Sequence, residues 1–506
     1  MNKTKLIFAA ALLFTASCAN EDVNKDNDNA ANKGLTAFVS GDEPATRTSM
    51  DHTAGGKGKF FWTTGDNIWI DNAGMPESNT SSSITGKTDY AKFYFASTLT
   101  GTSYPVTYTG KSSTKANEVT ITANQTQSAP NNTDHFATSG DCGTATATGS
   151  GNEFAFKLKH QAAYLCILPR CKNVALGKNI YLTKIVVTSD NDIAGTYTLS
   201  STGLSPKSGG TKTITLTTQG TGTDPGFKMT NTAADSDRNG AYMVIAPGTH
   251  TLTIDCYITD PVTNVEGSIT QTVSTAFAAN TITDITANLT PTIYSADSYY
   301  MWDAQQPYWY GHLDSNGLPD GNYPQSQTAD PDRWFNDIPG YGMQAGTSPV
   351  LPSHTAISCP NANEIPWYAM KGDPHWDNQT FWAAMGHLYT GGMWFKKKSK
   401  ISGYRTDAAP NGIDYTTSAY VLGYIYGNSS ITTGKPGNLS EYFYLPALGF
   451  YYNGTLHNVG SNGYYWSSTP HPYQSTQSFN LFFNSGHAGA QYSGNRDFGC
   501  PLWTAQ

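Results

Sequence analysis

The sequence predicts a multidomain β-rich protein: two all-β sandwiches in series, followed by a third domain of different composition. Three observations lead there. At 506 residues the chain exceeds the length at which a single hydrophobic core keeps growing, so more than one domain is expected. Up to about Pro291 it is Thr-rich and carries short runs in which apolar and polar residues alternate, the pattern of strands with one buried face. Beyond Tyr294 the composition changes, and nine of the eleven tryptophans fall there.

The first segment is read as a signal. Lys3 and Lys5 precede an apolar stretch from Leu6 to Phe14, and Thr15-Ala16-Ser17-Cys18 follows. A bilayer span needs roughly 20 apolar residues, so this stretch reads as a cleavable signal over residues 1–17. Small residues leading into a cysteine resemble a bacterial lipobox, with Thr15 where the family usually has Leu. The resemblance implies cleavage before Cys18, lipidation of its thiol and an anchor in the outer membrane. Residues 18–34 are rich in Asn, Asp and Lys with almost no apolar content, so they cannot offset their ordering entropy and form a flexible tether. Glu21 and Asp22 after the cysteine resemble the surface-export tag of gut-type anaerobes, which implies outward display at the cell surface.

Composition excludes several classes. A formal net charge of −8 argues against a nucleic-acid partner, which selects basic surfaces. Six cysteines besides Cys18, an even number, are compatible with disulfides in an oxidising compartment. They show no zinc-type spacing with each other or with histidine, and neither a metal nor a cofactor is expected.

The first two domains are placed at residues 35–150 and 151–292. Leu35-Thr-Ala-Phe-Val39, Val119-Thr-Ile-Thr-Ala123, Thr213-Ile-Thr-Leu-Thr217 and Thr251-Leu-Thr-Ile-Asp255 read as strands of antiparallel sandwiches. A break is placed near Gly149-Ser150-Gly151. Phe60-Phe-Trp62-Thr-Thr-Gly65-Asp66-Asn-Ile68 reads as strand, tight turn, strand. Asp66 and Asn67 fit turn chemistry, bonding nearby backbone N–H groups, better than metal ligation. This pattern resembles the fimbrillin family of type V pilus proteins. Tyr104-Pro105, Gln125-Thr126-Gln127, Phe156-Lys-Leu158, Ile193-Ala194-Gly195 and Ala246-Pro247-Gly248 follow in the family's order. The resemblance implies two transthyretin-like sandwiches. It also implies a trypsin-like cut near the first strand, whose loss opens a groove for a strand donated by another pilin subunit. Arg47, the first arginine of the chain, stands where that cut would fall.

The third domain is placed at residues 293–506. Cys359-Pro360, Leu445-Pro446-Ala447-Leu-Gly449, Gly460-Ser-Asn462-Gly463-Tyr-Tyr465-Trp466-Ser467-Ser468-Thr469 and Asn495-Arg496-Asp-Phe-Gly499-Cys500 form an ordered series. It resembles a bacterial C-type-lectin-like domain of the fibrobacter major paralogous type, related to the formylglycine-generating-enzyme fold. The resemblance implies an α+β domain whose first helix neighbours its last strand, and hence a Cys359–Cys500 disulfide. Closing so long a loop would contribute roughly 4–5 kcal/mol. The pairing of Cys142, Cys166, Cys171 and Cys256 stays open; Cys166 and Cys171 either pair locally or are core residues.

Chemistry is not expected. A reactive cysteine pair beyond Cys359 and Cys500 is missing from this half, and no hydrolase or metalloprotease motif is present. His375, between Asp373 and Asp377, is the nearest metal-binding candidate, and a satisfied loop histidine is the better reading. The sequence therefore predicts no enzyme. Aromatic loops holding Trp302, Trp309, Trp376 and Trp394 are the candidate ligand platforms, stacking on sugars without metal, while core packing is the commoner role for any single ring. Lys396-Lys-Lys398-Ser-Lys400 reads as a solvated face. Together these readings describe a fimbrial subunit, placed at the fibre tip because a whole domain stands where stalk subunits carry the strand they donate. Its ligand is a host or microbial glycan or protein. The alternative is a glycan-binding surface lipoprotein of a polysaccharide-uptake system that never polymerises.

Overall fold

The computed structural model describes residues 32–40, 49–81, 84–338, 351–417 and 425–506. Cys18 and Arg47 lie outside them. The described chain is predominantly β-sheet, and its longest helix, Glu364–Lys371, has 8 residues. No helix among the described residues is long and apolar enough to cross a membrane.

The first module is one sheet that curls over on itself around a core of Phe38, Trp62, Ile68, Phe93, Tyr108 and Phe156. Its strands run in the order Met75–Thr80, Asn67–Asn72, Ser103–Tyr108, Gly143–Ser150, Glu153–Phe156, Thr36–Ser40, Ala91–Phe95. Alternation places the core: in Ala91–Phe95 the residues at 91, 93 and 95 are buried and those between are half-buried. The two end strands draw together, with Ser97 Oγ, just past Ala91–Phe95, donating to Glu77 Oε2 within Met75–Thr80. The break expected near 149–151 is instead the turn of a hairpin. Gly151 takes φ +66° there, and Thr148 to Ser150 pair antiparallel with Glu153 to Ala155 in the same sheet. The first sheet thus continues to Lys159–His160.

The second module packs two layers over one core. One layer is Val265–Phe277, Gly248–Asp260, Tyr181–Ser189, Thr213–Thr218 and Asn124–Gln127. The other holds Ala241–Ile245, Ala163–Arg170 and Ile282–Asn288, flanked by Gly203–Thr211, Ala194–Ser200 and Glu118–Ile121. Residues 118–127, expected in the first domain, belong here: the chain leaves the first sheet after Tyr108 and returns to it at Gly143. Gln125 and Gln127 close the sandwich. The Gln125 amide donates to Val244 O and accepts from Val244 N, and Gln127 pairs likewise with Gly240 O and Tyr242 N. Two buried side chains thereby complete the backbone pairing of an edge strand in the opposite layer. The hairpin of Ser49–Asp51 and Lys59–Phe61 also lies on this module, with Met50 and Phe60 in its core. Pairing is not wholly antiparallel: Ala163–Arg170 runs parallel to Ile282–Asn288.

The third module joins its two ends, Tyr299–Tyr300 pairing antiparallel with Cys500–Pro501. A four-stranded sheet of Ile425–Asn428, His487–Asn495, Gln477–Asn484 and Gly463–Pro470 carries the helix, and a second one contains Gly392–Lys396 and Tyr442–Pro446. The hairpin of Trp382–Ala384 and His387–Tyr389 docks on the second module, where Ala383 and Leu388 enter its core. Buried Asp260 accepts hydrogen bonds there from His387 Nδ1 (2.9 Å) and Leu388 N (3.0 Å).

Candidate functional site

The first strand, Thr36–Ser40, is fully buried and lies between two neighbours. It runs parallel to Glu153–Phe156, with Phe38 opposite Phe154, and antiparallel to Ala91–Phe95, with Ser40 opposite Ala91. Phe38 fills the centre: its ring stacks on Phe154 at 5.3 Å and meets Phe95 edge-on at 5.2 Å. Removing these five residues would leave two unpaired strand edges above an aromatic floor. An open cleft of about 410 Å³ beside the strand's start is lined by Lys33, Leu35, Lys92, Tyr94 and Glu153, among others.

The aromatic-turn motif serves this slot. Trp62 is fully buried against Phe93, Tyr108 and Phe156, and its indole Nε1 donates to Ser40 Oγ. Asp66 is a turn residue: its Oδ2 accepts from Thr63 N (2.6 Å) and Thr63 Oγ1, and its Oδ1 from Tyr108 OH. Outside the slot, a second cleft of about 490 Å³ is lined by Trp69, Asp71, Pro76, Pro105 and Lys115.

The four tryptophans proposed as ligand platforms are not surface rings. Trp302 and Trp309 are fully buried, Trp376 is buried, and Trp394 is half-buried with its Nε1 donating to Asp377 Oδ2. They pack the interior because the strands around them are short and rings fill the space between loops. Trp302 also faces a buried cation. The Arg496 guanidinium lies 4.2 Å from its ring centroid and donates to Asn336 O and Ile338 O. Burial pulls Arg496 down to about 10, which leaves it charged at neutral pH. Among the described residues, the exposed aromatic rings are instead Tyr310, Tyr452 and Tyr473. Sequence reasoning missed them because tyrosines are abundant and nothing local marks these three.

The Tyr-Trp-Ser-Ser-Thr motif is a structural hub. Trp466 Nε1 donates to Tyr300 O, Ser467 Oγ to Pro360 O, and Trp302 Nε1 to Ser467 O. Cys359 and Cys500 share the small cluster around Trp302 and Trp466, yet both are free thiols, so the expected bridge is not formed here. Burial pushes the Cys359 thiol up to about 12 and raises Cys500 well above its usual value, so both are neutral and unreactive. Cys142, Cys166, Cys171 and Cys256 are likewise free and buried.

His375 lies beside Asp373, while both of its neighbouring acids are engaged by other groups. Its Nε2 lies 3.6 Å from Asp373 Oδ1, but Asp373 also binds Tyr442 OH and Lys396 Nζ. Asp377 caps a turn, accepting from Gln379 N, Thr380 N and Thr380 Oγ1. In the basic cluster, Lys396 and Lys400 pair with Asp373 and Glu441, and Lys397 and Lys398 bond backbone carbonyls.

No family model and no curated protein matches the chain. Among solved structures it is similar to a candidate cell adhesion protein from Bacteroides uniformis ATCC 8492 (19% identity, TM-score 0.32, 51% of this chain and 93% of that chain). A candidate cell adhesion protein from Bacteroides ovatus ATCC 8483 is similar at 14% identity and TM-score 0.30 over 46% of this chain and 86% of that chain. A fimbrial protein from the same organism aligns over 93% of this chain and 99% of its own, at 10% identity and TM-score 0.27.

Proposed function

We propose that this chain is a lipid-delivered subunit of a cell-surface fimbrium, with two fimbrillin-like, transthyretin-type sandwiches and a lectin-like adhesive module at its C-terminal side. The observation that carries the reading is the position of Thr36–Ser40: a short, fully buried strand with a neighbour on each side, preceding Arg47 in the chain. A trypsin-like cut after Arg47 would release Cys18, its tether and this strand together. The vacated slot would then accept an extended segment from a neighbouring pilin by strand addition. The described segment through Trp503 is tied into the third module, where the Trp503 indole donates to Trp466 O, and is not free for donation. A position at the fibre tip is part of this proposal. Adhesion to a glycan or protein would then use the exposed rings Tyr310, Tyr452 and Tyr473 rather than the buried tryptophans.

The test is mass spectrometry of this subunit taken from assembled fibres. A chain beginning at Thr48 is expected. One that still begins at Cys18 within fibres removes the strand-exchange reading, and a glycan and matrix-protein array with the full chain tests the adhesive part separately.

A further inference from the structure

Three strands of the second module place three residues in one row. Tyr242 lies opposite Cys166, and Cys166 lies opposite Asp284 across the parallel pair. His52, just beyond Ser49–Asp51, enters this row from the hairpin that follows the first strand. The nearest ligand atoms of His52, Cys166 and Asp284 all lie within 4.8 Å of one another. The His52 side chain is wholly buried, Cys166 is buried, and Asp284 is 23% exposed.

A chain of hydrogen bonds sets the histidine tautomer. Asn131 Nδ2 donates to Asp237 Oδ1, which turns Asn131 Oδ1 toward Tyr242. The Tyr242 hydroxyl donates to that oxygen at 2.8 Å, so it offers only a lone pair to His52 Nδ1 at 3.2 Å. Nδ1 then carries an imidazole proton, and Nε2 is a bare acceptor whenever the ring is neutral. Nε2 faces Asp284 Oδ1 at 3.5 Å, an ion pair when the ring is protonated, and the Cys166 thiol interacts with the same carboxylate; neither Nε2 nor Oδ1 has a conventional hydrogen bond. The other carboxylate oxygen is held by Gly55 N at 2.6 Å, which fixes the carboxylate's orientation. With the ring neutral, two acceptors face each other beside a thiol, and either a second imidazole proton or a metal cation between them satisfies both. Hydrogen bonds that orient ligating side chains from behind are what built metal sites show.

We propose that His52, Cys166 and Asp284 bind a zinc-type divalent ion, a site that goes beyond the fimbrial reading and does not depend on it. Imidazole, thiolate and carboxylate together select such an ion over calcium or magnesium, which take oxygen ligands. Tetrahedral ligands about 2.0–2.3 Å from zinc sit roughly 3.3–3.8 Å apart, so the row closes on the ion by small side-chain movements. Binding forms one bond each to Nε2, Sγ and Oδ1. The thiol proton leaves to solvent, and water takes the fourth position. Thiolate and carboxylate balance the two positive charges of the ion. Its role is to staple the 49–61 hairpin to the second module.

The experiment uses the full chain, reduced and stripped with a chelator, and titrates it with Co²⁺. One equivalent is expected to give a sulfur-to-cobalt charge-transfer band with the intense visible bands of a tetrahedral site, bleached by Zn²⁺. Cys166→Ser should abolish the charge-transfer band, Asp284→Asn should weaken binding at least tenfold, and Cys171→Ser should leave the spectrum unchanged. No band, or a band that survives Cys166→Ser, overturns the site. Should Cys166→Ser fail to fold, X-ray absorption of the zinc-loaded wild-type chain decides. One sulfur neighbour at about 2.3 Å supports the site, and a shell of nitrogen and oxygen alone overturns it.

Discussion

The indole Nε1 of Trp62 donates to Oγ of Ser40 at 2.8 Å, and this bond ties the first strand to the aromatic floor beneath it. Ser40 Oγ also accepts from Ala91 N at 3.1 Å, so one hydroxyl serves two buried donors. Ser40→Ala should cost about 1–3 kcal/mol by leaving both donors unsatisfied. Ser40→Thr, which keeps the oxygen, should cost less. Urea denaturation checks this, with a lower midpoint at unchanged slope.

Gln125 and Gln127 stand in for a missing strand against Ala241–Ile245. Gln125→Leu removes the partners of both Val244 backbone groups and should cost about 2–4 kcal/mol, a large share of an ordinary domain's stability. Hydrogen exchange at Val244 should quicken by at least tenfold. An unchanged rate would show that the amide contributes nothing to the edge.

Asp260 joins the second and third modules through His387 and Leu388. Asp260→Ala leaves a buried N–H unpaired at that junction and a half-buried imidazole without its partner, at a cost of roughly 1–3 kcal/mol. Calorimetry of the wild-type chain should show the two modules melting together. The variant should resolve an earlier transition for the third module, and an unaltered profile would sink the idea.

Acid should destabilise the second module through His135. Its side chain is half-buried with Nδ1 enclosed, and desolvation holds it down to about 4, while Nε2 donates to Tyr242 O. The unfolded state protonates near 6.5, so it binds more protons than the folded state between about pH 6.5 and 4. Stability is full above that window and is lost as pH falls through it, by up to roughly 3 kcal/mol. Melting temperatures of wild type and His135→Gln from pH 7 to 4 check this. The variant should show the shallower decline.

Alternation made the strand around Thr251 to Asp255 readable, because buried positions recur every second residue along Gly248–Asp260; its hairpin partner Val265–Phe277 was not read. The turn at Gly65-Asp66 was readable too, since short acidic side chains bond their own backbone. Module membership was not. Val119 and Ile121 alternate as any half-buried strand does, and periodicity does not say which sheet a strand joins. The tryptophans misled for a related reason: an aromatic ring suits a sugar platform and a core equally, and only packing decides. His52, Cys166 and Asp284 come from three distant parts of the chain, so no spacing could have united them.

The excursion of residues 109–142 out of the first sheet has a mechanical meaning. Glu118–Ile121 is laid into one sheet of the second module and Asn124–Gln127 into another, so the chain passes through both like a stitch before returning. Two bodies sewn in this way do not swing apart at a hinge. Tension between them must drag both strands lengthwise, straining their hydrogen bonds together instead of unzipping them one by one. The stitch makes the pair behave under tension as a single stiff link.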